Sequence, residues 1–100
     1  MPNPLIWPIG SVTDDFAAVG IASAIIMAEN LRRADADFIN TSANWIYLGK
    51  GHDAIVGSGE ALAPRGGSYH IGTNNLFTGD IYAIASAADS NLSMSEGDIP

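Results

Sequence analysis

The stretch Arg33–Gly49, RADADFINTSANWIYLG, decides the fold. Its first eight residues alternate, with Ala34, Ala36 and Phe38 on one parity and Asp35, Asp37 and Ile39 on the other. A period of two sends successive side chains to opposite faces of a strand, so the carboxylates face water and the small and aromatic residues face a core. Asn40–Asn44 then reads as a tight turn, because short polar side chains bond the nearby backbone there. Trp45–Gly49, WIYLG, is a second strand, rich in residues that fit a pleated surface. Ile46 and Leu48 take the core side of this strand, which leaves Trp45 and Tyr47 pointing the other way. Two large aromatics are costly on a bare surface and favourable beneath a partner, so Trp45 and Tyr47 are candidate interface residues.

The same alternation continues downstream. Ala54–Gly59 (AIVGSG), Ser68–Gly72 (SYHIG), Ile81–Ala87 (IYAIASA) and Leu92–Gly97 (LSMSEG) read as short strands, separated by turn-forming segments. Strands of about five or six residues with turn signals every ~8–12 residues describe a small antiparallel β-sandwich or barrel. The chain is therefore expected to be all-β.

Upstream, residues 14–33 are ambiguous. Asp14 or Asp15 suits a helix N-cap, alanine is plentiful, and Arg32 and Arg33 suit a helix C-terminus. Gly20 inside the run and apolar residues all round the axis oppose a helix. With a period of two, Val19, Ile21, Ser23, Ile25 and Met27 share a face. Before this run, MPNPLIWPIG carries prolines at 2, 4 and 8, which fix φ and remove donors. Residues 1–12 therefore read as an extended N-terminal arm ahead of a single β-sandwich domain at 13–100. Its apolar residues Leu5, Ile6 and Trp7 are the second set of candidate interface residues.

Composition narrows the function. Charged residues are 15% of the chain, against roughly 25% in ordinary soluble domains, and hydrophobic residues reach 47%. One hundred residues form one modest core that cannot hide all of this, so self-association is expected. The formal charge of −7 and the four scattered bases oppose a grip on phosphates, so no nucleic-acid partner is expected. No run approaches the ~20 apolar residues of a membrane helix, and no membrane partner is expected. The absence of cysteine removes disulfides and thiolate zinc sites.

Catalytic signals are sparse. Asp35 and Asp37 share a strand face and so form a possible pair for a hard cation, but the plainer reading is a solvated strand face. His52, Asp53 and His70 are the acid–base material for a hydrolase or zinc site, without a third ligand at a marked spacing. VGSGE, residues 56–60, lacks the Gly-x-Ser-x-Gly spacing of a nucleophile elbow. Neither an enzymatic activity nor a cofactor is expected.

Asn30, Arg33, Asn40, Ser42, Ile46–Gly49, Pro64, Gly66–Gly67, Tyr82–Ala85 and Glu96 together form a pattern of turns and strands. In that pattern, which runs from residue 30 to residue 97, the chain resembles the small β-domain of tailed-bacteriophage virion proteins. The resemblance implies that residues 17–28 are a strand rather than a helix. It also implies a structural virion role, foremost a capsid decoration (cement) protein on the outer surface of the major capsid shell. Such proteins commonly act as homotrimers, with the major capsid protein as partner. The alternative within the same resemblance is a tail-tip or fibre module, in which Trp45, Tyr47 and Tyr69 stack on a host glycan or receptor.

Overall fold

A computed structural model describes residues 9–100. Eight strands, β1 (Ser11–Val19), β2 (Ala24–Met27), β3 (Arg33–Asn40), β4 (Ile46–Lys50), β5 (Glu60–Leu62), β6 (Ser68–Ile71), β7 (Ile81–Ala85) and β8 (Ser90–Asp98), follow one another, with one 3₁₀ turn at Thr73–Asn75. They form two four-stranded antiparallel sheets packed as a β-sandwich, ordered β1-β8-β3-β6 (sheet A) and β2-β7-β4-β5 (sheet B). Every connection except β4–β5 crosses from one sheet to the other.

The alternation of RADADFIN is realised in β3. Ala34, Ala36, Phe38 and Asn40 are buried, while Asp35 and Asp37 are half-buried and Ile39 is exposed on the opposite face. Ile46 and Leu48 of β4 face Phe38, Leu92 and Ile71 across the sandwich as one core with Leu62 and Ile81. Ala36, Ala83 and Ala85 are also fully buried, and such small residues let the two sheets interdigitate closely.

Residues 14–33 contain no helix. Asp14 and Asp15 lie in the middle of β1 rather than at a cap, and Gly20 stands where the chain leaves sheet A for sheet B. There the Gly20 carbonyl accepts the Ala85 amide at 2.8 Å. The single strand implied for residues 17–28 is therefore two strands in different sheets. The shared face expected for Val19, Ile21, Ser23, Ile25 and Met27 does not form. Val19 and Met27 are buried, whereas Ile21 and Ile25 are exposed. The crossover resets the parity after Val19, and a bulge between Ile25 and Met27 resets it again.

Two further boundaries differ. Residues 54–59 are not a strand. Gly57 and Gly59 adopt φ of +87° and +74°, the Ser58 amide donates to the Ile55 carbonyl at 3.0 Å, and the chain extends only from Glu60. Gly59 leaves room for the Leu48 carbonyl, which would lie 2.4 Å from an added Cβ. At the other end, β1 begins at Ser11, so Ser11 and Val12 of the segment read as an arm are ladder residues opposite Asp98 and Gly97. Leu5, Ile6 and Trp7 lie outside the described residues.

Two buried polar side chains fasten the ends of β3. Asn40 donates from Nδ2 to the Asn44 and Leu62 carbonyls at 2.7 and 3.0 Å. Its Oδ1 accepts from the Ser42 amide and hydroxyl at 2.9 and 2.7 Å. One side chain thereby closes the turn and ties it to β5, satisfying both halves of its amide in a dry site. At the opposite end, Arg33 donates from Nε to Glu96 at 2.7 Å, from Nη1 to the Phe77 and Gly79 carbonyls at 2.8 and 3.0 Å, and from Nη2 to the Ala28 carbonyl at 2.8 Å. These four acceptors sit on three different parts of the chain, so the guanidinium fork clasps the β2–β3 connection, the β6–β7 loop and β8 together.

Lys50 fastens a third place. Its amine donates to the Tyr69 hydroxyl at 2.9 Å and pairs with Glu60 at 3.3 Å. The hydrogen bond to Tyr69, and after it the pairing with Glu60, hold the amine above its ordinary value of 10.5, while partial burial opposes them. A folded-state value above the unfolded one means that the contribution is complete below pH 10.5 and disappears as pH rises through the folded value. Alkaline titration of the urea midpoint should therefore show stability falling above that pH. In Lys50→Met this part of the slope should be absent, and an identical slope in the two proteins would refute the assignment.

Candidate interaction surface

The two outer faces of the sandwich differ in chemistry. On sheet A the outward positions form rows across the strands. One row runs Asp14, Ser95, Asp37, His70, and the next runs Phe16, Ser93, Ile39, Ser68. Asp35 lies beyond them opposite Gly97. This face carries several carboxylates and many hydroxyls. His70 Nδ1 lies 2.6 Å from Asp37 Oδ1, with both side chains about half exposed.

Sheet B turns out a different surface. Strict alternation in β7 buries Ile81, Ala83 and Ala85 and sends Tyr82 and Ile84 outward. In β4 the same rule buries Ile46 and Leu48 and sends Tyr47 outward, directly opposite Ile84 and Ala61. Ile25 of β2 pairs with Tyr82, which stands opposite Gly49 of β4, and forms the neighbouring row. Trp45, immediately before β4, stacks on Tyr47 with ring centroids 6.3 Å apart and planes inclined by 16°.

No outward position on sheet B carries a charge. Lys50 and Glu60 are on the inward parity of their strands and bind each other at one end of the sandwich. The polar side-chain atoms of the face are the Tyr47 and Tyr82 hydroxyls and the Trp45 indole nitrogen. An antiparallel sheet with one face in water ordinarily alternates apolar and polar residues. Here both faces of sheet B are apolar, which is the pattern of a sheet covered on both sides. Trp45 at 44% and Ile25 at 50% exposure show that the second cover is not supplied by the described residues. Four strands about 4.8 Å apart and roughly five residues long span a patch of about 300 Å², the size at which patches on monomers tend to be functional.

The structure thus brings Trp45 and Tyr47 together as one aromatic platform on the outer side. Ile25, Ala61, Tyr82 and Ile84 extend it, although the sequence reading did not include them. For Tyr82 and Ile84 the signal was present in IYAIA, where both parities are apolar. Tyr69 does not join the platform. It points inward from β6, packs partly buried against the core and receives the Lys50 amine.

The acid–base residues do not assemble. The His52 ring engages the Asp53 carbonyl at 3.0 Å in the β4–β5 loop, while His70 is bonded to Asp37 on sheet A. Asp35 and Asp37 share the outer face of sheet A, and among the described residues no group of three or more His, Asp or Glu side chains is placed to hold a metal ion. Among the described residues no helix is long and apolar enough to cross a membrane. No family model, curated protein or solved structure matches the chain.

Proposed function

We propose that this chain is a structural assembly protein that docks through the outer face of sheet B. In its specific form, the proposal is a capsid decoration protein on the outer surface of a tailed bacteriophage's major capsid shell. The observation that carries the docking reading is the uncharged aromatic face of Trp45, Tyr47, Tyr82, Ile84 and Ile25, set against a carboxylate-bearing sheet A. The capsid as partner comes from the sequence resemblance.

The chemistry of the two faces suits this arrangement. The apolar face removes its area from water against the shell at about 25 cal/mol per Å². The acidic face remains towards solvent and away from packaged DNA, whose phosphates repel it. A patch of about 300 Å² is small beside the ~800 Å² per partner of a stable one-to-one complex. Such a contact holds only when multiplied, either by a homotrimer presenting three faces or by many copies on a lattice.

A second reading has one observation of its own. The Trp45–Tyr47 stack offers two nearly parallel rings, a surface on which a sugar of a host receptor can lie, as in a tail-tip or fibre module. Immunogold labelling of virions with antibody to this chain separates the two readings. Label over the head lattice, together with lower heat resistance of particles stripped of the protein, is the expected result. Label at the tail end favours the receptor module, and stripped particles of unchanged resistance refute a stabilising role.

A further inference from the structure

Strand β1 is an edge of sheet A. It pairs with β8 at nine consecutive positions without a register shift, and no described strand lies on its other side. The three other edges are β2, β5 and β6, of four, three and four residues, and β2 is also interrupted by its bulge. Natural proteins blunt exposed edges by shortness, bulges, proline or charged side chains, inward-pointing ones included. β1, SVTDDFAAV, relies on the last of these alone. Its charges are two successive acids at its centre, which oppose pairing with another acidic strand, and neither Asp14 nor Asp15 forms an ion pair among the described residues.

We propose that β1 is a strand-addition site for an extended segment of a partner protein that carries two consecutive basic residues. Apart from the Phe16 amide, which donates to Asp15 Oδ1 at 2.8 Å, the outward backbone donors and acceptors of the nine-residue edge supply the ladder, and the side chains supply the choice of partner. A second copy of β1 is disfavoured. Antiparallel pairing about the strand centre sets Asp14 or Asp15 against its counterpart, and parallel pairing in register does so twice. Like charges directly opposite each other destabilise a sheet.

The two acids ask for bases on both faces of the incoming strand. Asp14 points to the outer face of sheet A between Val12 and Phe16, which are 60% and 72% exposed and offer apolar contact on either side. Asp15 points inward and lines a cavity of about 170 Å³ between β1 and β2, together with Glu96, Ile26, Met27 and Met94. That volume is below the ~300–1,000 Å³ of small-molecule pockets and suits a single side chain. A lysine or arginine can lay its aliphatic stem along Ile26, Met27 and Met94 and bring its charge to Asp15. The chain's own bases do not serve. Arg33 is buried on Glu96, Lys50 is held by Glu60 and Tyr69, Arg32 donates to the Ile99 carbonyl, and Arg65 lies in the turn before β6, the edge of sheet A opposite β1. Residues 1–8 contain no base. This proposal does not rest on the capsid reading.

The test is a titration of the isotope-labelled chain, followed by NMR, with a ten-residue peptide of alternating Thr and Val around a central Lys-Arg. A matching peptide with a central Glu-Glu is the comparison. The Lys-Arg peptide should slow amide exchange and shift resonances along Ser11–Val19, and bind about tenfold tighter than its acidic counterpart, less so at high salt. Asp14→Asn with Asp15→Asn removes two charges while keeping the strand, and should abolish the preference. Equal affinities, shifts confined to the outer face of sheet B, or dimerisation of the chain through β1 would each overturn the proposal.

Discussion

Replacing Arg33 by alanine is expected to unfold the domain or leave it barely folded at room temperature. The side chain is wholly buried, and its loss strands four acceptors: the partly exposed Glu96 carboxylate and the carbonyls of Ala28, Phe77 and Gly79. Breaking a buried charge pair from one side costs about 3–5 kcal/mol, a large share of the stability of a small domain at the lower end of the usual range of about 5–15 kcal/mol. Unpaired carbonyls add to this. Arg33→Lys keeps the charge but has no planar fork to reach three directions, and it should lose about 1–3 kcal/mol. Urea denaturation followed by tryptophan fluorescence reads both variants. An alanine variant with a midpoint close to that of the parent would show that the clasp contributes nothing.

The second large effect concerns binding rather than stability. Changing both Trp45 and Tyr47 to serine removes the stacked centre of the sheet B face while leaving Ile46, Leu48 and the ladder intact. Because both rings lie on the outer face, the cost to folding should be about 1–2 kcal/mol, the order of one aromatic contact and partial burial. Aromatic anchors at the centre of an interface carry about 2–4 kcal/mol each, so on the proposed decoration role attachment to capsids should weaken by at least about thirtyfold. Quantitative sedimentation of the variant with stripped particles measures this. Retained occupancy would move the contact off sheet B, and a Phe16→Ser variant assayed beside it tests whether sheet A is used instead.

The β-sandwich was legible because alternation survives in the strands that cross the core. In β3, β4, β7 and β8, one parity is buried along nearly the whole element. Reading failed where the rule of two was interrupted. Gly20 and the bulge at Ile25–Met27 reset parity twice within a few residues, and only pairing partners far along the chain reveal where. The strand expected at 54–59 failed because Gly57 and Gly59 adopt positive φ, which composition allows but does not demand.

The candidate surface was half legible for a related reason. Trp45 and Tyr47 stand next to core residues in one strand, so their outward direction follows from local parity. Ile25, Tyr82 and Ile84 come from strands distant in sequence and meet them only through the order β2-β7-β4-β5. Sequence spacing likewise could not tell that Arg33 and Asn40, read as turn and strand markers, are the buried polar fasteners of β3.

The position of β8 in sheet A has a consequence for how the molecule comes into being. β8 lies between β1 and β3 and follows all the other described strands. During synthesis, β1 therefore emerges first among them and waits for a neighbour some eighty residues away, with Phe16 and a full row of backbone groups unpaired. Contacts this distant in sequence make folding slow, because the entropy of closing the loop is lost before the ladder rewards it. Sheet A should stay open until β8 leaves the ribosome, then close in one cooperative step. On this view Asp14 and Asp15 act before the fold exists, keeping waiting β1 strands on neighbouring nascent chains from zipping together.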